Sequence, residues 1–75
     1  MLSKVIQIVA EVLGLPVDQI NESSGPVTIF EWTSLAHVTM IAALEQEFNV
    51  QFEMKEMLGI KKVGDFVGLL EAKLK

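Results

Sequence analysis

At 75 residues and 8.3 kDa the chain has room for one modest hydrophobic core and not for a second, so a single domain over 1–75 is expected. A hydrophobic share of 51% and a mean hydropathy of +0.44 exclude a disordered tail, and the lack of any cysteine excludes disulfides and thiolate metal sites. Ten acidic residues against six lysines give a net charge of −4, and no basic residue stands between Lys4 and Lys55; that long uncompensated stretch repels phosphate backbones and favours basic protein partners.

The first element is a helix over Leu2–Leu13. Leu2, Val5, Ile6, Val9, Val12 and Leu13 recur at the three-and-four spacing of one helical face, and Gly14 followed by Pro16 supplies the stop. Polar residues at helical spacing inside MLSKVIQIVAEVLG make it an amphipathic helix and not a signal peptide. No apolar run approaches the ~20 residues a membrane span needs, and a cysteine-free composition suits a reducing compartment, so a cytoplasmic monomer is expected.

Residues 14–33 form a long connection, broken by Pro16, Ser23, Ser24, Gly25 and Pro26. A connection of that length in a compact domain is often functional. Leu15, Val17, Ile20, Ile29 and Phe30 are its expected anchors to the core.

A second helix runs over Ser34–Phe48, with the hydroxyl of Thr33 or Ser34 as its cap. At about 100° per residue His37, Met40, Ile41, Leu44 and Phe48 share the core side. A second apolar stripe, Leu35, Val38 and Ala42, lies beside Thr39, Glu45 and Gln46 and starts next to Ser34. One helix of a small bundle needs only one buried stripe, so the second reads as a docking face with Thr33 at its edge. Glu45 and Glu47 oppose the helix dipole, which points to a role other than stability.

A short turn of helix follows over Glu53–Leu58, ended by Gly59, with Met54 and Met57 as core filler. The last helix covers Lys62–Leu74, its stripe made of Val63, Phe66, Val67, Leu70 and Leu74. Nothing in its sequence caps it, Lys61 and Lys62 oppose its dipole, and Gly64 and Gly68 each weaken it by roughly 1 kcal/mol relative to Ala. Close approach of a neighbour, or local mobility, would explain the two glycines. The fold class is therefore all-α: an antiparallel bundle of three main helices and one short one, with a long loop between the first two. His37 is the sole histidine and falls on the core side; no Ser–His–Asp arrangement or metal-ligand pair is readable, so no catalytic or metal-binding residue is assigned.

The stretch Thr33–Ser34–Leu35 through Leu44–Glu45–Gln46–Glu47–Phe48 resembles the signature helix of acyl carrier proteins, which reads Asp-Ser-Leu and closes on a Leu-Glu-x-x-Phe-like end. Leu13–Gly14–Leu15 is similar to that family's turn after its first helix, and Ile60 with Val63 is similar to its entry into the last helix. The resemblance implies a protein with no activity of its own. It carries acyl intermediates as thioesters on a 4'-phosphopantetheine arm, which a phosphopantetheinyl transferase moves from coenzyme A onto Ser34. The partners implied are that transferase and acyl-handling enzymes with basic docking patches. Ile41, Ala42, Phe52, Met57 and Ile60 are the residues expected to line a pocket for the folded-back acyl chain. Thr33 stands where the family has Asp, Ala36, Thr39 and Gln46 stand at often acidic positions, and Trp32 replaces a small residue. Those departures look like stand-alone carriers of dedicated lipid or polyketide-like pathways. An aminoacyl or peptidyl carrier, or a degenerate carrier acting as a non-covalent helical adaptor, shares the same sequence features.

Overall fold

The computed structural model describes all residues, 1–75. It contains four α-helices and no strand: α1 (Leu2–Leu13), α2 (Ser34–Phe48), α3 (Met54–Leu58) and α4 (Val63–Lys73), with a 3-10 turn at Val17–Gln19. The ends of α1 and α2 fall where the sequence places them, and α3 and α4 are shorter by the single residues that serve as their caps. Gly14 closes α1 in the left-handed conformation at φ 70, with the Leu15 N–H donating to the Ala10 carbonyl at 3.0 Å. Asn49 closes α2 in the same way at φ 55.

Helix α1 packs on both α2 and α4. Val5, Val9, Ala10 and Leu13 from α1 meet Met40, Ile41 and Leu44 from α2 and Val63, Phe66, Val67 and Leu70 from α4. Ile20 and Trp32 from the loop, and Phe52 and Ile60 from either side of α3, complete this core. Phe66 is its aromatic centre. Trp32 stacks on it at 6.2 Å and 9°, and Phe52 meets it edge-on at 6.2 Å and 65°.

Several expected core residues lie outside. Phe30 is 95% exposed, Val17 is exposed, and only Leu15, Ile20 and Ile29 of the five proposed loop anchors pack inward. The turns explain this. Ile29 N–H and Thr28 N–H both donate to the Gly25 carbonyl, and Trp32 N–H donates to the Ile29 carbonyl, which fixes Ile29 and Trp32 inward and swings Phe30 out. Met54 is also exposed, because α3 is a single short helix with no fully buried residue, and Leu74 lies beyond the last turn of α4 and is exposed.

The uncapped start of α4 is capped from far away. Val63 N–H donates to the Ser24 carbonyl at 2.8 Å and Gly64 N–H to the Glu22 carbonyl at 2.9 Å. The Asp65 carboxylate accepts from the Lys61 N–H at 2.8 Å and places an anion near the helix start. Gly64 answers a close approach, since a Cβ there would sit 3.0 Å from Glu22 Cγ; Gly68 has no neighbour within 4 Å. The long loop is thus pinned to the start of α4, and its other end delivers Trp32, Thr33 and Ser34 to the start of α2.

Candidate site at the start of the second helix

Thr33 is extended, at φ −84 and ψ 174, and its hydroxyl accepts from the Ala36 N–H at 3.2 Å. Thr33 therefore caps α2, and Ser34, the first helical residue, is exposed and free of that duty. The position is held firmly from behind. Trp32 is buried against Phe66, and its indole N–H donates to His37 Nδ1 at 2.9 Å. Because Nδ1 accepts, Nε2 carries the proton and donates to the Met57 carbonyl at 3.0 Å. Both ring nitrogens are engaged, so His37 is not a base available to the Ser34 hydroxyl.

The proposed docking residues are mostly on one open surface. Leu35 is 77% and Val38 61% exposed, and Thr33, Thr39, Ala42 and Gln46 are exposed with them. Glu45 is not available in the same way: it is half-buried, and its carboxylate accepts the Phe52 N–H at 2.8 Å, securing the turn after α2. Glu47 pairs with Lys4 at 3.7 Å across to α1. Each of the two glutamates that oppose the α2 dipole thus has a partner within the chain, and the Glu45 bond is the short one. Phe30, four residues before Ser34, adds an exposed apolar group that the sequence did not distinguish from a core anchor; only the turn bonds at Gly25 and Ile29 reveal it.

The five proposed pocket residues do not line one cavity. Ile41, Phe52 and Ile60 are buried within the packed core, Met57 is half-buried, and Ala42 lies out on the exposed side of α2. The larger open grooves lie away from them: one of about 690 Å³ is lined by Ile8, Val12 and Ala43 of α1 and α2 among others, and one of about 660 Å³ by Met1, Gly68, Ala72 and Leu74. A smaller groove of about 340 Å³ includes one of the five, Ile60, with Gly64, Gly68 and Leu69. Helix α3 is clasped on its other side by Lys73, whose ammonium meets the Glu56 carboxylate at 2.8 Å and lies 5.6 Å from the centre of the Phe52 ring. The Glu53 N–H, and after it Lys73, hold the Glu56 carboxyl below the usual carboxylate range. No helix is long and apolar enough to cross a membrane.

Comparison with known proteins covers most of the chain. The family model described as "Phosphopantetheine attachment site" matches residues 3–70. The chain is 33% identical to an acyl carrier protein of Thermotoga maritima over 72 residues, 96% of this chain and 89% of the relative. It is 33% identical to one of Clostridium acetobutylicum over 69 residues, 92% of this chain and 90% of the relative. It is also 33% identical to one of Saccharopolyspora erythraea over 66 residues, 88% of this chain and 70% of the relative.

Proposed function

The chain belongs to the acyl carrier protein family, a family of carriers and not of catalysts whose cofactor is phosphopantetheine, and on that premise we propose that Ser34 is the attachment point and that the arm presents acyl groups to enzymes of a dedicated biosynthetic pathway. The observation that carries the assignment is the division of labour at the start of α2. Thr33 takes the capping bond, which leaves the neighbouring Ser34 exposed. The unpaired first-turn N–H groups and the positive end of the helix dipole favour the anionic phosphodiester that attachment creates. In the loading step the Ser34 oxygen forms a bond to phosphorus and the nucleotide part of coenzyme A departs with the electron pair. The hydroxyl proton goes to a base on the transferase, since His37 has both nitrogens engaged. The terminal thiol of the arm supplies the chemistry, holding an acyl group as a thioester.

Leu35, Val38, Thr39, Ala42 and Gln46 form the docking surface in this reading, an apolar strip beside the arm on a chain of net charge −4. Its partners are the transferase and acyl-handling enzymes with apolar pockets rimmed by basic residues. The dedicated pathway is inferred from this strip, which carries Ala36, Thr39 and Gln46 and so is apolar and neutral more than acidic, and from Trp32 at its root. Ile41, Phe52, Met57 and Ile60 are the walls an acyl chain would part if it entered between α2 and α3.

The direct experiment is incubation with coenzyme A and a broad-specificity phosphopantetheinyl transferase, followed by intact mass. A gain of one phosphopantetheinyl group is expected; an unchanged mass with several transferases would remove the carrier reading. Val38→Glu places a charge at the centre of the docking strip and should weaken transfer to or from partner enzymes tenfold or more, with the melting temperature close to wild type because the side chain is exposed. Unaltered transfer kinetics would move the docking surface elsewhere.

A further inference from the structure

We propose that His37 is a positioning residue that governs entry of cargo into the bundle, holding α3 against α2 so that an acyl chain on the Ser34 arm stays outside; this rests on the carrier reading above. His37 stands three residues after Ser34 on α2 and bonds in two directions at once. Its Nδ1 takes the Trp32 indole N–H at 2.9 Å, and its Nε2 gives a proton to the Met57 carbonyl at 3.0 Å. The second bond reaches the main chain of α3, so no change of rotamer at Met57 releases it. Trp32 fixes the ring: its bond sets the tautomer that makes Nε2 a donor, and its stacking on Phe66 keeps the indole in place. The imidazole also lies 6.1 Å from the Phe66 ring, so it is part of the aromatic cluster.

An acyl chain reaching Ile41, Phe52 and Ile60 from Ser34 must pass between α2 and α3. That passage requires the Met57 carbonyl to leave His37, which strands a half-buried donor and a half-buried acceptor. On its far side α3 is held by Lys73 through Glu56, and the same lysine covers Phe52. The helix is therefore tied to both neighbours, and the His37 tie is the one on the side facing the arm. Because Trp32 is the only tryptophan and bonds directly to His37, the state of the tie is readable in its fluorescence.

The test compares wild type, His37→Gln and His37→Leu, each loaded with the bare arm or with an octanoyl arm from octanoyl-coenzyme A, with intact mass confirming one arm per chain. In wild type the octanoyl group should add no more than about 2 °C to the melting temperature of the bare-arm form and leave Trp32 emission in place. In His37→Leu it should add more than about 5 °C as methylenes enter the core, with a shift in Trp32 emission. His37→Gln, whose amide can both accept and donate, should follow wild type, which a purely packing role for the ring would not produce. If octanoyl stabilises wild type as much as His37→Leu, the proposal is overturned. Should His37→Leu fail to fold, His37→Met, an apolar side chain of similar volume that cannot donate to the Met57 carbonyl, replaces it, and the octanoyl gain in melting temperature must then exceed that of wild type; an equal gain overturns the proposal. Absence of any mass increment in all variants overturns the carrier reading itself, and so separates the two.

Discussion

Ser34→Ala should gain no phosphopantetheinyl group under conditions that load the wild type fully, while melting within about 3 °C of it. Both halves follow from the start of α2. The arm has one attachment oxygen in the proposed reading, so its removal is all-or-none. The helix does not need that oxygen, because Thr33 holds the Ala36 N–H and Ser34 is exposed. Thr33→Ala should show the opposite stability result, a loss of about 1 kcal/mol and a melting temperature lower by about 4–8 °C. Intact mass and thermal unfolding monitored by circular dichroism check the pair. Full loading of Ser34→Ala would assign the arm to another hydroxyl, and a large loss of stability would mean that Ser34 shares in the cap.

Gly25→Ala should be among the most damaging single-methyl additions to this chain. A Cβ at Gly25 would lie 2.0 Å from the Lys61 carbonyl oxygen, where real contacts stay beyond 3.0 Å, and the obstacle is main chain that cannot swing aside as a side chain would. Relief requires the loop and the segment before α4 to separate. That separation also breaks the bonds from Val63 N–H to Ser24 and from Gly64 N–H to Glu22. Overpacking combined with the loss of two buried caps is expected to cost on the order of 3 kcal/mol, a fall in melting temperature of well over 10 °C. Amide exchange at Val63 and Gly64 should accelerate most. Gly68→Ala is the internal control: nothing lies within 4 Å of its Cβ position and it sits inside α4, so it should stabilise by up to about 1 kcal/mol. Equal effects at Gly25 and Gly68 would refute the close approach of the loop.

The helices were legible because their apolar residues recur with the helical period and their stops are conformational signals; Gly14 ends α1 as read, and of the two hydroxyls read as possible caps of α2 it is Thr33 that serves. The exposed stripe of Leu35, Val38 and Ala42 was legible for the same reason, since one periodic pattern too many must face away from the core. The loop was not legible. It has no period, so Phe30 and Ile29 look alike in sequence, and bonds to the Gly25 carbonyl decide which turns inward. The cap of α4 was invisible because its acceptors are main-chain carbonyls of Glu22 and Ser24, which carry no side-chain signature and lie about forty residues upstream. The bond of Glu45 was not legible because its partner is the main-chain N–H of Phe52, seven positions on. Of the five residues proposed to line a pocket, Ile41 and Ala42 are consecutive on a helix and so face different surroundings, one buried and one exposed.

The lysine-free stretch between Lys4 and Lys55 has a consequence beyond its charge. A thioester is an activated acyl group, and it is lost to any thiol or free amine that reaches it. The chain has no cysteine anywhere, and the fifty residues that contain the arm's proposed root offer no side-chain amine. The one imidazole close by, His37, has both nitrogens committed to Trp32 and Met57. On the proposed reading, the segment that carries Ser34 supplies neither thiol, amine nor free imidazole to attack the cargo, so it does not itself consume the acyl group that waits for an enzyme.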